Sequence, residues 1–160
     1  MSIKRLLIVF LILLVSCEPT DENTIKGKVI KVADGDTITI VTEDGQKVRV
    51  RLEGIDAPEK GQDFGNKSKQ FLNDLCYNKI VKVIDKGQDK YGRMLGVVYL
   101  DDLNLNEEMV RNGLSWYYDY FVEDSRLDSL QQQARKDKLN IWSMKKPVHP
   151  HEFRKNKRKK

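Results

Sequence analysis

Only two cysteines, Cys17 and Cys76, occur in the 160 residues. They are too few for a thiolate zinc cluster, which needs several Cys or His at short spacing. Long apolar runs are missing as well: the one candidate, Leu6 to Val15, is about half of the ~20 residues that a membrane-spanning helix requires. No internal repeat is present. A net excess of positive charge is also missing from the body of the chain, although its formal charge is +5. Of the 29 cations, two are Lys4 and Arg5 and six lie in Arg154 to Lys160, which leaves 21 against 24 anions. A global field that gathers polyanions around the fold is thereby excluded, and any affinity for phosphate must come from a local cluster. At this length one domain with a single substantial core carries every function.

The ends are distinct from that body. Lys4 and Arg5 before the apolar run suit a secretory signal, and Leu14-Val15-Ser16-Cys17 resembles the lipobox of bacterial lipoproteins. Residues 1–17 are expected to be a signal peptide ending at a lipidated Cys17, and residues 18–23 a polar tether. The protein is then an exported lipoprotein anchored in a bacterial cell envelope, on its periplasmic or surface side. Cys76 shares an apolar stripe with Phe71, Leu72 and Leu75 and reads as a buried free thiol; a Cys17–Cys76 disulfide requires Cys17 to be unacylated. Residues 144–160 read as a basic, unfolded tail because "RKNKRKK" is almost devoid of apolar content. That tail either holds polyanions or anionic lipid near the fold, or is merely solvated.

Between the ends the pattern is that of strands. Ile25 to Val32 is rich in β-branched residues, Thr37 to Val41 alternates, and Lys47 to Leu52 alternates with Val48, Val50 and Leu52 on one face. "EDGQ" at Glu43 to Gln46 supplies the Asp-Gly hairpin signal. Phe64 to Cys76 has helical spacing, and strands follow at Ile80 to Asp85 and Met94 to Leu100. Asn106 is a candidate cap for a helix ending at Gly113, and Ser125 for one with Leu127, Leu130 and Ala134 on its inner face. Trp116 and Trp142 suit packing better than base stacking.

"DGDT" at Asp34 to Thr37 and "IDAPE" at Ile55 to Glu59 place acids at two strand corners. Turn chemistry explains each Asp separately; half of a metal site explains both together. Five strands with one helix after the third and two helices after the fifth is the order of an OB-type barrel. In that order, "VADGDTITI", "VRVRLEGIDAPE", "DKYGRMLG", "LNEEMVRNGL" and "KLNIWS" resemble the staphylococcal nuclease, or thermonuclease, family over roughly residues 24–143. The resemblance implies an α+β, mainly β fold: a five-stranded OB-fold barrel with three helices. It implies one Ca²⁺ held by Asp36, Asp56 and the main-chain carbonyl of Ala57, with Glu59 acting through water on the metal. It implies Arg51 and Arg93 on the phosphate being cleaved, Lys90 and Tyr91 on a neighbouring phosphate, and base contacts from Tyr118 and Tyr120. The loop from Lys60 to Asp63 is shorter than in the namesake enzyme, so no substrate contact is carried over to it.

The chemistry asks for such residues on its own account. Oxygen ligands suit a hard, exchangeable cation, and two carboxylates with a carbonyl and waters give a modest Ca²⁺ site. Two arginines offer fixed, always-charged forks to the oxygens that gain charge in phosphodiester hydrolysis. Glu59 suits a general base on the attacking water. The expected activity is a Ca²⁺-dependent nuclease of low sequence specificity acting on DNA and RNA, the resemblance implying that it leaves 3′-phosphates; a monomer is expected, with no protein partner implied. The alternatives are a silent nucleic-acid-binding barrel and a structural envelope lipoprotein. His149 and His151 form a His-x-His pair, which a Pro-flanked polar setting makes a weak metal site.

Overall fold

A computed structural model describes residues 23–120 and 123–159. The signal segment, Cys17 and the tether through residue 22 lie outside the described residues. In chain order the elements are β1 (Thr24–Asp34), β2 (Thr37–Thr42), β3 (Lys47–Leu52), β4 (Ile55–Asp56), α1 (Gly65–Cys76), β5 (Ile80–Gln88), β6 (Met94–Leu100), β7 (Leu103–Asn104), α2 (Leu105–Arg111), β8 (Trp116–Tyr117) and α3 (Ser125–Lys136). A 3₁₀ turn (Asn140–Ser143) and α4 (Pro150–Lys157) follow.

β1, β2 and β3 form an antiparallel meander, and β1 also pairs with β5, which pairs with β6. β6 then returns to β3 in parallel, with Val50 beside Met94, Arg51 beside Leu95 and Leu52 beside Gly96. That seam closes five strands into a barrel and removes their free edges. One strand serves two neighbours because β1 is irregular against β2, between Val29 and Lys31 and again between Val32 and Asp34; such irregularities bend a strand at a barrel corner. The interior is filled by the alternating positions that the sequence marks: Val29, Ile38, Ile40, Val50, Val83 and Val98 are fully buried. Each such side chain contributes roughly 1.5–3 kcal/mol relative to exposure. α1 lays Leu72 and Cys76 on this core, and α2 adds Leu105, Met109 and Val110.

Three sequence expectations need correction. α2 is capped by Asn104, whose side chain accepts from the Glu107 amide, and not by Asn106. Asn106 is buried instead, donating to the Glu53 and Gly96 carbonyls at 2.9 and 3.2 Å and accepting from the Val98 amide at 3.0 Å. α3 is capped by Asp124, one residue before Ser125, with Asp124 accepting from the amides of Arg126 and Leu127. The barrel carries four helices and not three, because α4 forms where an unfolded tail is expected. Pro150 occupies its first turn, the His149 ring accepts from the His151 amide, and Glu152 and the Arg154, Lys155, Lys157 group sit at the ends the helix dipole favours.

Candidate active site

The site is a cleft of about 1330 Å³ at the barrel mouth, between the β1–β2 corner, β3, β4, the β5–β6 hairpin and α4. Asp36 arrives from the corner. Its Oδ2 accepts from the Ala57 amide at 2.7 Å and its Oδ1 from the Thr37 hydroxyl at 3.0 Å. The corner is pressed against α1: a Cβ on Gly35 would lie 1.8 Å from Ser68 Oγ. No residue but glycine fits there. Asp56 is set by β4, which pairs with β8 so that Asp56 faces Trp116 across the ladder. Asp36 is 6% and Asp56 1% exposed, so neither acid is a solvated turn residue.

Arg51 joins the two acids. Extending from β3 beside Thr37, its Nη1 lies 3.1 Å from Asp36 Oδ2 and its Nη2 3.2 Å from Asp56 Oδ1. Arg93 reaches Asp36 indirectly, with Nη1 at 3.5 Å from Thr37 Oγ1. Its Nε and Nη2 both contact Asp89 Oδ2 at 2.7 Å, within the hairpin that carries Lys90 and Tyr91. Tyr91 is 66% exposed, with Lys90 Nζ 5.2 Å and Arg93 Cζ 5.6 Å from its ring centre. Tyr118 lines the cleft; Tyr120 is 78% exposed and, among the described residues, meets the site through its ring contact with Tyr118 at 5.3 Å.

Sequence reasoning missed the contribution of α4. Arg154 places Nη1 at 3.1 Å from Asp56 Oδ1 and 2.6 Å from Glu59 Oε1, and Nη2 at 3.0 Å from Asp56 Oδ2. Gln62 ties the segment down, accepting from the Glu59 amide at 3.0 Å and donating to the Val148 carbonyl at 2.7 Å. The His149 ring sits 5.4 Å from Trp116 and 6.0 Å from Tyr118. Its Nδ1 lies 3.8 Å from Asp56 Oδ2, but burial lowers its pKa and Nδ1 already accepts from His151. His149 is thus a neutral cap beside Asp56 and not a cation paired with it. The sequence signal for this element was His149-Pro150, a cap followed by Pro at the first helical turn.

Burial dominates the electrostatics of the acids. Asp34, which accepts from the Asp36 amide at 3.2 Å, is raised to about 7 by burial and then by the Asp36 charge. Asp56 is raised as well, burial outweighing the Arg154 hydrogen bonds and the Arg51 charge. Among the described residues no three His, Cys, Asp or Glu side chains gather into a full metal cage. A smaller donor set does fit a hard cation: two buried carboxylates, joined by the Ala57 backbone and with Glu59 nearby, offering oxygen alone.

Residues 49–144 match the family model described as staphylococcal nuclease homologue. The chain belongs to the staphylococcal nuclease family. The family match starts between Asp36 and Arg51, but longer similarities span the corner as well. A protein described as an uncharacterized endonuclease from Haemophilus influenzae is 39% identical over 156 residues, covering 98% of this chain and 85% of that protein. A further uncharacterized endonuclease, from Escherichia coli O157:H7, is 45% identical over 127 residues, 79% of this chain and 82% of its own length. A micrococcal nuclease from Shigella flexneri is 38% identical over 140 residues, 81% of this chain and 80% of its own. The closed five-stranded barrel is the staphylococcal nuclease fold, here with a fourth helix.

Proposed function

We propose that the protein is a Ca²⁺-dependent nuclease that hydrolyses phosphodiesters of DNA and RNA with low sequence specificity, leaving 3′-phosphates and acting as a monomer. The observation that carries this reading is Arg51 spanning the buried Asp36 and Asp56 within one cleft, with Arg93 bonded to Thr37 beside them. A binding surface has no use for two acids buried beneath its arginines, since acids repel phosphate.

Asp36, Asp56 and the Ala57 carbonyl would hold the cation, which supplies a Lewis acid toward a phosphate oxygen. Arg51 and Arg93 donate hydrogen bonds to the oxygens that gain charge as phosphorus becomes five-coordinate. Both guanidiniums are held by carboxylates beforehand, so little reorganisation is needed at the moment of reaction. Glu59 orients the attacking water and takes its proton. Lys90 and Tyr91, on the opposite lip, contact the next phosphate; Tyr118 faces a base, and Tyr120 supports it through the ring pair. Cys17 is the proposed lipid attachment point, anchoring the enzyme in a bacterial envelope.

A silent binding barrel is the second reading, favoured by one observation: Arg154 already saturates both oxygens of Asp56. Incubation of the chain from residue 18 onward with plasmid and single-stranded RNA, in Ca²⁺ or in chelator, separates the two. Ca²⁺-dependent product that Glu59→Gln abolishes, with oligonucleotide binding retained, is expected. Wild type that binds Ca²⁺ and nucleic acid yet releases no product establishes the silent barrel.

A further inference from the structure

His151, Arg154, Lys155, Arg158 and Lys159 all line the cleft that holds Arg51 and Arg93. Their spacing, i, i+3, i+4, i+7 and i+8, is that of one helical face, which runs past the last residue of α4, Lys157, into the turn at Arg158 and Lys159. The only acid of α4, Glu152, is not among the residues that line the cleft. Arg154 is spoken for by Asp56 and Glu59, but among the described residues no carboxylate pairs with Lys155, Arg158 or Lys159. Arg154 and Arg158, and likewise Lys155 and Lys159, are like charges four apart, an arrangement that costs a helix a few tenths of a kcal/mol per pair. The helix dipole offsets this repulsion at the C-terminal end of α4, and an anion in the cleft would relieve what remains.

The wall is also held in place. Pro150 is buried, His149 packs against Trp116 and Tyr118, Gln62 holds the Val148 carbonyl, and Arg154 forks onto Asp56 and Glu59. Lys90, Tyr91, Arg93 and Tyr118 line the same cleft. Cations from two separate elements lining one cleft, together with an exposed tyrosine, are the combination that tracks one strand of nucleic acid, phosphates on the charges and bases on the rings.

Resting on the nuclease reading, we infer that α4 and the turn that follows it form the second wall of the substrate groove: Lys155, Arg158 and Lys159 contact successive backbone phosphates of a strand whose scissile phosphate lies at Arg51 and Arg93.

The test is equilibrium binding of a fluorescent single-stranded oligonucleotide to the chain from residue 18 onward, in chelator so that no cleavage occurs, across a salt series. Replacing the three cations together (Lys155→Gln, Arg158→Gln, Lys159→Gln) is expected to reduce the slope of log affinity against log salt by about 2, at roughly 0.7 per lost contact. A charge-keeping set (Lys155→Arg, Arg158→Lys, Lys159→Arg) is expected to retain the wild-type slope. Far-ultraviolet circular dichroism identifies any variant that has lost its helices. An unchanged slope in the triple Gln variant, while wild type binds and cleaves, overturns the α4 inference alone. The same holds if that variant instead loses binding to phosphatidylglycerol vesicles with its nucleic-acid slope intact, since the face then serves lipid. Wild type that neither binds the oligonucleotide nor cleaves it in Ca²⁺ overturns the nuclease reading beneath it.

Discussion

Arg154 and Asp56 meet as a two-pronged ion pair, Nη1 on Oδ1 at 3.1 Å and Nη2 on Oδ2 at 3.0 Å. A cation that takes Asp56 must displace at least one prong. Arg154→Gln is therefore expected to bind Ca²⁺ more tightly, read by calorimetric titration. In chelator the same variant melts lower, by about 1–2 kcal/mol. That is less than the 3–5 kcal/mol for a fully buried broken pair, because Arg154 is partly exposed and Arg51 remains. Ca²⁺ then raises its melting temperature more than that of wild type. Equal or weaker Ca²⁺ binding would refute the competition.

Arg93 and Asp36 lie on different sides of the proposed chemistry. Arg93→Ala removes a preorganised donor and is expected to slow cleavage by at least ~10², with no recovery at high Ca²⁺. Asp36→Asn weakens a cation ligand, so part of its rate returns with added Ca²⁺. It also disturbs the bonds from the Ala57 amide and Thr37 hydroxyl, and its stability loss is on the order of 1–3 kcal/mol. Rates over a Ca²⁺ series, with melts alongside, check both.

Gly35 offers a packing test. A methyl group at 1.8 Å from Ser68 Oγ and 2.8 Å from the Ala57 Cβ has no room, and Gly35→Ala should cost ~1–3 kcal/mol by overpacking. The corner moves with it and carries Asp36 off the Ala57 amide, so Ca²⁺ affinity falls as well. Adding Ser68→Ala is expected to relieve only part of the strain, because the Ser68 Cβ would still lie 2.8 Å away. Full recovery in the double variant would place the constraint elsewhere.

Burial pushes the Cys76 thiol up to about 12, and Sγ lies 3.1 Å from the Leu72 carbonyl. The neutral thiol is the stable form in the fold, so alkylation is expected to be slower than in denaturant by ~10³-fold or more at pH 7 and by roughly several hundred-fold at pH 9, from the thiolate fraction alone. Quantitative thiol titration in and out of denaturant measures it. Fast native labelling would mean that α1 opens locally.

Cys17 carries the localisation proposal. Cys17→Ser should move the protein from the detergent phase to the aqueous phase, or leave it unprocessed, because the acyl chains supply the membrane affinity. Detergent phase separation of whole-cell lysates reads the change; equal partitioning of the two forms would remove the anchor.

Strands and barrel order were legible because their signals are local and periodic: Val48, Val50 and Leu52 alternate, and the Asp-Gly turn follows β2. Asp36, Asp56, Arg51 and Arg93 were legible as a set through family resemblance, and the structure brings them into one cleft. α4 was not. Its charge matched that of a solvated tail, and what orders it is contact with Gln62, Trp116 and Asp56, distant in sequence. The cap at Asn104 was missed for a related reason: Asn106 has the same capping chemistry, and only burial against Glu53, Gly96 and Val98 diverts it.

The parallel seam between β3 and β6 joins Val50 to Met94, and it decides when the protein becomes dangerous. Arg51 stands on one side of that seam, and Arg93 precedes the first residue on the other. Pairing of segments so distant closes a long loop, a late and slow event compared with hairpins and helices. A chain kept unfolded for passage across a membrane holds every one of these residues and no cleft. On the proposal that this chain is exported in that form, nucleic acid on the side where it is made is spared by topology, without any inhibitor.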